Sequence, residues 1–329
     1  MAKVVFMGTP QFAVESLKKI IEAGHEIIAV VTVPDKPAGR GLKMLSSSVC
    51  LYAKENGLPV FQPEKLNDPG FVSIIQTLTP DIIVVVAFRK LPKSIWSIPK
   101  YGSFNVHASL LPQYRGAAPI NHAIINGETQ TGITTFLLDD NIDTGNIICQ
   151  QPVEINPTDT LEDLHDKMMV TGASLAVKTI DKLISGDYQP ISQSELITEG
   201  TVIHGAPKIT KEFCQINWDN TSINIFNKIR GLSPTPCAFT VLKSTDGRML
   251  SIKIFKTEYQ LIEDETKLKT PGTVITDNVK YLGISTKDGI IFLKDMQLAG
   301  KKRMDIESFL RGNKMIGAIA VSPDNAIIN

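Results

Sequence analysis

The sequence predicts an α/β protein with two domains, an open doubly wound sheet followed by a small β-barrel. Apolar runs without alternation, at Ile27–Val33 and Asp81–Ala87, are typical of parallel strands covered on both faces, and helix-like spacing separates them. Short strand-like runs separated by turn signals follow residue 237, which favours a barrel. A chain of 329 residues is long enough for both domains.

The chain opens with a strand, a turn and a helix. Lys3–Met7 is a short apolar strand, Gly8-Thr9-Pro10 forms the turn, and apolar residues from Ala13 to Ile21 recur at the spacing of a helix with one buried face. Helices near residues 46–56 and 64–78 complete a βαβαβ pattern. The turn has one glycine, whereas a dinucleotide site requires G-x-G-x-x-G. We therefore expect no NAD.

The middle of the chain carries two further strands and two helices. We predict strands at Ser103–His107 and Thr131–Leu138, and a helix over Ala117–Asn126. A long helix is predicted over Thr160–Lys182, because Thr160 and Asp163 form a capping-box-like start. Its candidate core positions are Leu161, Leu164, Met168 and Leu175.

An irregular stretch containing glycine and proline then divides the chain. We assign residues 1–189 to the first domain, 190–207 to a linker and 208–329 to the second domain. The second domain begins with a predicted helix around Ser222–Arg230 and closes with the basic segment Gly300–Arg303 and a helix to Leu310. Its strand-like runs lie near residues 238–243, 250–257, 273–276, 280–285 and 290–296.

Composition excludes several classes of protein. Hydrophobic residues make up 43% and charged residues 21% of the chain, which is typical of a globular protein. No apolar run approaches the ~18 residues that span a bilayer, so we expect a cytoplasmic protein without a membrane partner. Separately, we expect a monomer. No CxxC pair occurs, which favours reduced thiols over a metal site. The scattered cysteines are Cys50, Cys149, Cys214 and Cys237.

The charge is distributed unevenly between the two parts. Residues 1–206 carry 16 basic and 21 acidic side chains, and the remainder carries 18 and 13. A basic half indicates contact with a polyanion, although a solvated surface explains the count about as well.

The segment Pro34–Leu45 is also basic, with Lys36, Arg40 and Lys43. Two prolines and two glycines predict that it has no regular structure. It follows the second strand, and ligands of such sheets bind beyond the carboxyl ends of the strands. A surface loop with incidental charge is an equally good interpretation.

Polar residues cluster around the strand Ser103–His107. Asn105 and His107 project from the same face of this strand, and an Asp-rich turn, Asp139–Asp143, follows the next one. Without a Cys or Ser nucleophile, an Asn, a His and Asp143 suit acyl transfer between two bound substrates. The turn lacks the EF-hand ligand series, which argues against calcium. Taken alone, a structural histidine is the more common interpretation.

Several longer motifs resemble the family of enzymes that transfer formyl from 10-formyltetrahydrofolate. The motifs run nearly end to end: VVFMGTPQFA, PDKPAGRG, NVHASLLPQYRGAAPI, IDTG, KITKE at 208–212 and MQLAGKKRMD. The PAGRG loop and the basic second domain are similar to members that act on tRNA. The resemblance implies a Rossmann-like first domain, an OB-like barrel, and formyl transfer to the α-amino group of methionyl initiator tRNA.

The resemblance also implies a role for particular residues. It assigns catalysis to Asn105, His107 and Asp143, with 10-formyltetrahydrofolate as co-substrate and no metal. The folate-binding residues that it implies are Ser109, Leu110, Leu111 and Pro112. The residues that it implies for tRNA binding are Lys36, Arg40 and Lys43, with Arg40 foremost, together with Lys301, Lys302 and Arg303.

The sequence departs from the family pattern at two places. Ala87-Phe88-Arg89-Lys90 stands where the family has an AYG turn, and Ser46–Cys50 stands where prolines and a lysine are common. Two alternatives remain open. A formyltransferase acting on a small amine would share the three catalytic residues, and a non-catalytic RNA-binding module would need only the barrel.

Overall fold

The computed structural model describes residues 1–38 and 43–321. In chain order, the first part contains β1 (Lys3–Gly8), α1 (Gln11–Glu22), β2 (Glu26–Val31), β3 (Lys36–Ala38), β4 (Lys43–Leu45), α2 (Ser48–Glu55), β5 (Val60–Phe61), α3 (Pro69–Leu78), β6 (Ile82–Val86), α4 (Lys93–Trp96), β7 (Ser103–His107), β8 (Arg115–Gly116), α5 (Pro119–Ile125), β9 (Gln130–Leu137), β10 (Ile147–Glu154), α6 (Leu161–Ser185) and β11 (Gly205–Ala206). The second part contains α7 (Ser222–Leu232), β12 (Ala238–Lys243), β13 (Met249–Leu261), β14 (Val274–Thr276), β15 (Leu282–Ser285), β16 (Gly289–Leu298), β17 (Arg303–Asp305), α8 (Ile306–Gly312) and β18 (Ile319–Val321).

The chain divides into two compact units. The first contains Met1–Pro119, Gln130–Glu154 and His165–Ala206. The second contains Ile120–Thr129, Ile155–Leu164 and the chain from Pro207 onward. The segment 190–207, predicted as a linker, therefore lies almost wholly within the first unit, where it includes a 3₁₀ turn, Gln193–Leu196, and the short strand β11.

The first unit is built on a seven-stranded sheet in the order β10-β9-β7-β6-β1-β2-β5. The five strands from β7 to β5 are parallel, and β9 and β10 add an antiparallel edge. The strand order reverses at β1, as in a doubly wound sheet. Every residue of β6 is buried, which explains its unbroken Ile/Val sequence. The predicted fold class is confirmed.

The long helix α6 begins as the capping box predicted. The Asp163 carboxylate accepts a hydrogen bond from the Thr160 backbone N–H at 2.9 Å, and the Thr160 hydroxyl accepts one from the Asp163 N–H at 3.3 Å. These bonds satisfy two donors that a helix start leaves unpaired. Leu164, Met168 and Leu175 of the helix are buried.

The second unit is an antiparallel barrel. Its strands follow the order β14-β15-β16-β13-β12-β18, with β17 on β16, and a bridge between Thr273 and Ile319 brings the two ends together. Apolar side chains from α7, β13 and β16 fill the interior, among them Ile225, Ile229, Ile252, Ile254, Ile291 and Leu293. This confirms the barrel that was predicted from short strand-like runs separated by turn signals.

The prediction that Pro34–Leu45 has no regular structure is partly wrong. β3 and β4 pair antiparallel, with Lys36 opposite Leu45 and Pro37 opposite Met44. A two-stranded pair has only edge strands, and an edge strand tolerates proline because its missing N–H need not join a ladder.

Two chain-wide expectations can be compared with the described residues. All four cysteines are free and buried, as predicted. Burial raises the pKa of the Cys237 thiol to about 11, so this thiol stays protonated and weakly nucleophilic. Among the residues that the structure describes, no helix combines the length and the apolar character needed to cross a bilayer.

Candidate active site

The candidate site lies at the carboxyl end of β7. Asn105 and His107 share one face of this strand, which pairs with β6 on one side and β9 on the other. His107 is 6% exposed, whereas Asn105 is half-buried. The Asn105 amide makes no hydrogen bond to any residue that the structure describes, so both its N–H groups are available to a ligand.

Asp143 reaches this site from the turn between β9 and β10. Its Oδ2 accepts a hydrogen bond from the Gly116 backbone N–H at 3.0 Å and lies 3.9 Å from Nδ1 of His107. The Asp143 side chain is only 13% exposed. The structure thus brings two of the three predicted residues together and places the third two residues along the same strand face.

The environment of His107 determines where its ring protons lie. Nε2 is 3.0 Å from the carbonyl oxygen of Tyr114, and because a carbonyl only accepts hydrogen bonds, Nε2 carries the hydrogen. Nδ1 faces the Asp143 carboxylate. With Nδ1 bare, two acceptors face one another; with Nδ1 protonated, an imidazolium faces a carboxylate. Both ring nitrogens therefore face oxygen acceptors of the protein.

Only one carboxylate of the Asp-rich turn faces His107. Asp139 accepts hydrogen bonds from the Thr144 hydroxyl and the Asn141 N–H, so it shapes the turn. Asp140 is exposed, and its carboxylate lies 4.0 Å from Lys93. Across residues 1–38 and 43–321, no group of three or more His, Cys, Asp or Glu side chains is arranged to hold a metal ion.

The segment Ser109–Pro112, predicted to bind folate, is fixed by side chains of the neighbouring strands. The Thr134 hydroxyl donates to the Ser109 carbonyl at 2.7 Å and accepts from the Leu111 N–H at 3.0 Å. Gln150 donates to the Leu111 carbonyl at 2.8 Å. Ser109, Leu111 and Pro112 are buried, and Leu110 is half-buried. In this segment, Leu110 and the backbone are therefore what a ligand can reach.

Gln193 and Arg115, which the sequence did not single out, lie beside the candidate site and bond to its Asp143 turn or to one another. The side chain of Gln193 accepts two hydrogen bonds from Arg115 and donates to the carbonyls of Asp143 and Gly145. Gln193 lies in a segment read as a linker, and its partners are 48 to 78 residues away in sequence. No local pattern marks such a residue; only the tertiary structure identifies it.

The predicted polyanion-binding residues fall into three groups. Lys36, Lys301 and Lys302 are exposed. Arg303 is engaged with the Asp295 carboxylate, with Nε at 2.7 Å, and its guanidinium lies 4.3 Å from the centre of the Phe255 ring. Arg40 and the side chain of Lys43 lie outside the described residues.

Comparison with known proteins identifies the family. Residues 2–180 match the family described as formyl transferase, and residues 208–314 match the formyl transferase C-terminal domain. The chain therefore belongs to the formyl transferase family, which confirms the resemblance seen in its motifs.

Individual proteins within this family are similar to the chain over nearly its whole length. The chain is 47% identical over 320 residues to the methionyl-tRNA formyltransferase of Parabacteroides distasonis, covering 97% of this chain and 98% of that protein. It is 46% identical over 313 residues to the protein of the same name from Bacteroides thetaiotaomicron, covering 95% and 96%. Among solved structures, an N-formyltransferase from Helicobacter canadensis matches with a TM-score of 0.60 at 23% identity, covering 92% of this chain and 100% of that one. This last likeness shows the fold.

Proposed function

We propose that this protein transfers the formyl group of 10-formyltetrahydrofolate to the α-amino group of methionyl initiator tRNA, giving N-formylmethionyl-tRNA for translation initiation. The observation that carries the proposal is the 47% identity across 97% of the chain to a methionyl-tRNA formyltransferase. That similarity spans both the β7 site and the barrel.

The residues at the end of β7 fit a formyl donor. The Asn105 amide is half-buried and unpaired among the described residues, so it can donate a hydrogen bond to a carbonyl oxygen held beside the strand. The Helicobacter canadensis relative was solved with folinic acid, which supports a folate site on this fold. Bound 10-formyltetrahydrofolate would supply the formyl carbonyl carbon. Leu110 and the fixed backbone of residues 109–112 would hold it.

Asn105 and His107 then stabilise the negative charge that develops on the formyl oxygen. One well-placed donor of this kind is typically worth ~2.7–4 kcal/mol of barrier. Asn105 supplies a direct hydrogen bond. Both nitrogens of His107 face protein oxygens, so His107, when protonated, contributes the positive charge of its imidazolium, held in place by Tyr114 and Asp143.

Asp143 accepts the proton that the α-amino group loses as its nitrogen bonds to the formyl carbon. The bond between that carbon and N10 of the folate breaks, and N10 takes up the proton as tetrahydrofolate leaves. Oδ2 of Asp143 is occupied by the Gly116 N–H, which leaves Oδ1 as the acceptor, directly or through one water. The same carboxylate lies 3.9 Å from Nδ1 of His107, so Asp143 both orients the histidine and serves as the general base.

The RNA-binding part of the proposal rests on the basic residues. Lys36, Arg40 and Lys43 would contact the acceptor stem, and Lys301 and Lys302 would contact phosphates. In the proposed division of labour, residues 1–189 carry catalysis and residues 208–329 bind tRNA. The segment 190–207 leads from one to the other and also supplies Gln193 to the first unit. Arg303 would act through its ion pair with Asp295, which fixes the Lys301–Arg303 segment. We further propose a cytoplasmic monomer.

A formyl-transfer assay tests the function. The purified chain, 10-formyltetrahydrofolate and one acceptor are combined, with methionyl initiator tRNA, free methionine and an amino sugar in separate arms. We expect product with the charged tRNA at a rate far above either small amine. Comparable rates with a small amine would reassign the substrate, and no product in any arm would refute the function.

The basic segment can be tested through salt dependence. Each phosphate contact that is removed should reduce the slope of log affinity against log salt concentration by ~0.7–0.9. Lys301→Gln combined with Lys302→Gln should therefore flatten the dependence of tRNA binding on salt. The matched control, Lys267→Gln with Lys269→Gln, removes the same charge elsewhere in the second unit. Equal slopes for the two double variants would move the RNA contact away from Lys301 and Lys302.

A further inference from the structure

The side chain of Gln193 is the most completely bonded polar group near the candidate site. It is 2% exposed and starts the 3₁₀ turn Gln193–Leu196. Its Oε1 accepts hydrogen bonds from Arg115 Nε at 2.9 Å and Nη2 at 2.6 Å. Its Nε2 donates to the carbonyl of Asp143 at 3.0 Å and to that of Gly145 at 2.9 Å. Because the oxygen of this buried amide accepts two hydrogen bonds and its nitrogen donates two, the amide can adopt only one orientation.

We propose that Gln193 is a positioning residue, which holds the backbone of the Asp143 turn so that the Asp143 carboxylate faces His107. This inference rests on the proposed function, because it gives Gln193 a role in the same transfer. Gln193 touches no reacting atom in this assignment; it acts through Asp143.

The Asp143 turn needs such support. Asp143 has φ 56°, in the left-handed region that side-chain-bearing residues adopt only where the surroundings hold them. Gly145 lies so close to the end of β9 that a Cβ there would collide with the Leu137 carbonyl. The carbonyls of Asp143 and Gly145 both turn toward Gln193, and its amide is their shared donor.

Arg115 links this support to the carboxylate itself. Its guanidinium fixes the Gln193 oxygen, which forces the amide NH₂ toward the turn. The next residue, Gly116, donates its backbone N–H to Asp143 Oδ2. Asp143 is thus held at its side chain by β8 and at its backbone by Gln193, and Arg115 couples the two.

A purely structural explanation makes a different prediction. If Gln193 only anchors its own segment, the contact with Arg115 is the one that matters, and the two bonds to the turn are incidental. The two explanations can be distinguished by substitutions that change the contacts of the amide nitrogen without removing those of the amide oxygen.

Gln193→Glu and Gln193→Met provide this separation. The glutamate keeps both acceptor contacts with Arg115, as an ion pair, but places an oxygen against two carbonyls that cannot donate. The methionine has similar length and loses all four bonds. If Gln193 positions Asp143, Gln193→Glu should lower kcat about 10²-fold, which is the loss expected when a catalytic group is misplaced by about 1 Å. The loss in Gln193→Glu should be at least as large as the loss in Gln193→Met. KM for both substrates should stay unchanged.

The Asp143→Asn background supplies a readout that a structural role would not move. With the carboxylate removed, its position no longer matters, so adding Gln193→Glu should cause no further loss of single-turnover rate. Thermal unfolding of each variant reports on folding, and Glu195→Gln, an exposed change in the same turn, is the matched control. Wild-type kcat in Gln193→Glu, or an equal loss in both backgrounds, would overturn the proposal.

Hydrogen exchange separates this test from the test of function. Amides of residues 143–145 should exchange faster in Gln193→Glu than in the unmodified chain, whatever the substrate. Unchanged exchange there overturns the positioning role even if formyl transfer is confirmed. Faster exchange in a chain that fails the formylation assay supports the positioning of the turn and refutes only the proposed reaction.

Discussion

The two ends of the parallel strands in the first sheet each bury a histidine beside an aspartate, yet only one pair belongs to the candidate site. At the carboxyl end, His107 faces Asp143, whose side chain is 13% exposed. At the amino end, His25 precedes β2, and its Nε2 lies 3.5 Å from an Asp181 carboxylate that is 65% exposed. Nδ1 of His25 is buried without a hydrogen-bond partner among the described residues.

The difference lies in how each carboxylate is held. Asp143 receives the Gly116 N–H, and Gln193 holds its backbone, so its charge has a fixed place before any substrate arrives. Asp181 is largely in water, which screens its charge. Burial lowers the pKa of His25, and the attraction of Asp181 does not offset it. The two pairs therefore differ in how the carboxylate is held, and we propose catalysis only for the pair whose carboxylate is fixed by the backbone.

Replacing each histidine in turn should give the largest contrast. His107→Ala removes the imidazole ring and should lower kcat by about 10²–10⁴-fold, the range of acid–base and charge-stabilising groups. His25→Ala should leave kcat unchanged. Single-turnover formyl transfer with both variants measures this. A comparable loss from the two substitutions would show that burial, rather than the Asp143 arrangement, underlies the effect.

The Asn105 amide should give the next largest effect. Asn105→Ala removes a donor to the developing oxyanion and should lower kcat about 10²–10³-fold, with thermal stability unchanged because the amide has no partner among the described residues. Asn56→Ala, which removes an amide bonded to the Tyr52 carbonyl at the end of α2, is the control. If Asn105→Ala retained full activity but unfolded more easily, the amide would be structural.

Much of the fold follows from pattern. The strands β7 and β12 begin and end at the predicted residues, because runs of four to eight residues bounded by turn signals define strands well. The edge strand β10 was missed because it has only three buried residues and contains Pro152. β17 and β18, of three residues each, are too short for any period to show.

The site was predictable only where residues lie close in sequence or share a motif. Spacing placed Asn105 and His107 on one face of β7, and the motif resemblance indicated Asp143. Gln193 could not be found, because its role comes from partners in β8 and in the Asp143 turn. The side chains of Ser109, Leu111 and Pro112 are buried, so a motif can mark residues that determine the shape of a loop rather than residues that contact a ligand.

Gly24 and Gly116, one near each of the two histidines, allow the effect of backbone strain on stability to be measured apart from an effect on the candidate site. Gly24 has φ 82° with open space where a Cβ would be, so Gly24→Ala should cost about 1–2 kcal/mol of stability and leave kcat unchanged. Gly116 has φ 130°, and a Cβ there would collide with the Ala206 carbonyl. Gly116→Ala should cost a further ~1–3 kcal/mol and also lower kcat, because the Asp143 donor moves. Chemical denaturation and kcat measurements test both.

His25 gives the smallest effect, a dependence of stability on pH. Burial, reinforced weakly by the N-terminal amine and opposed by Asp181, lowers its pKa in the folded state. The unfolded chain then binds more protons as pH falls below about 6.5, so His25 contributes stability above that pH that is lost on acidification. His25→Gln should therefore lose less stability than the unmodified chain between neutral and mildly acidic pH. If the stability curve of His25→Gln ran parallel to that of the unmodified chain, burial would not be lowering the pKa of His25. The contrast between the two histidines would then depend on His107 alone.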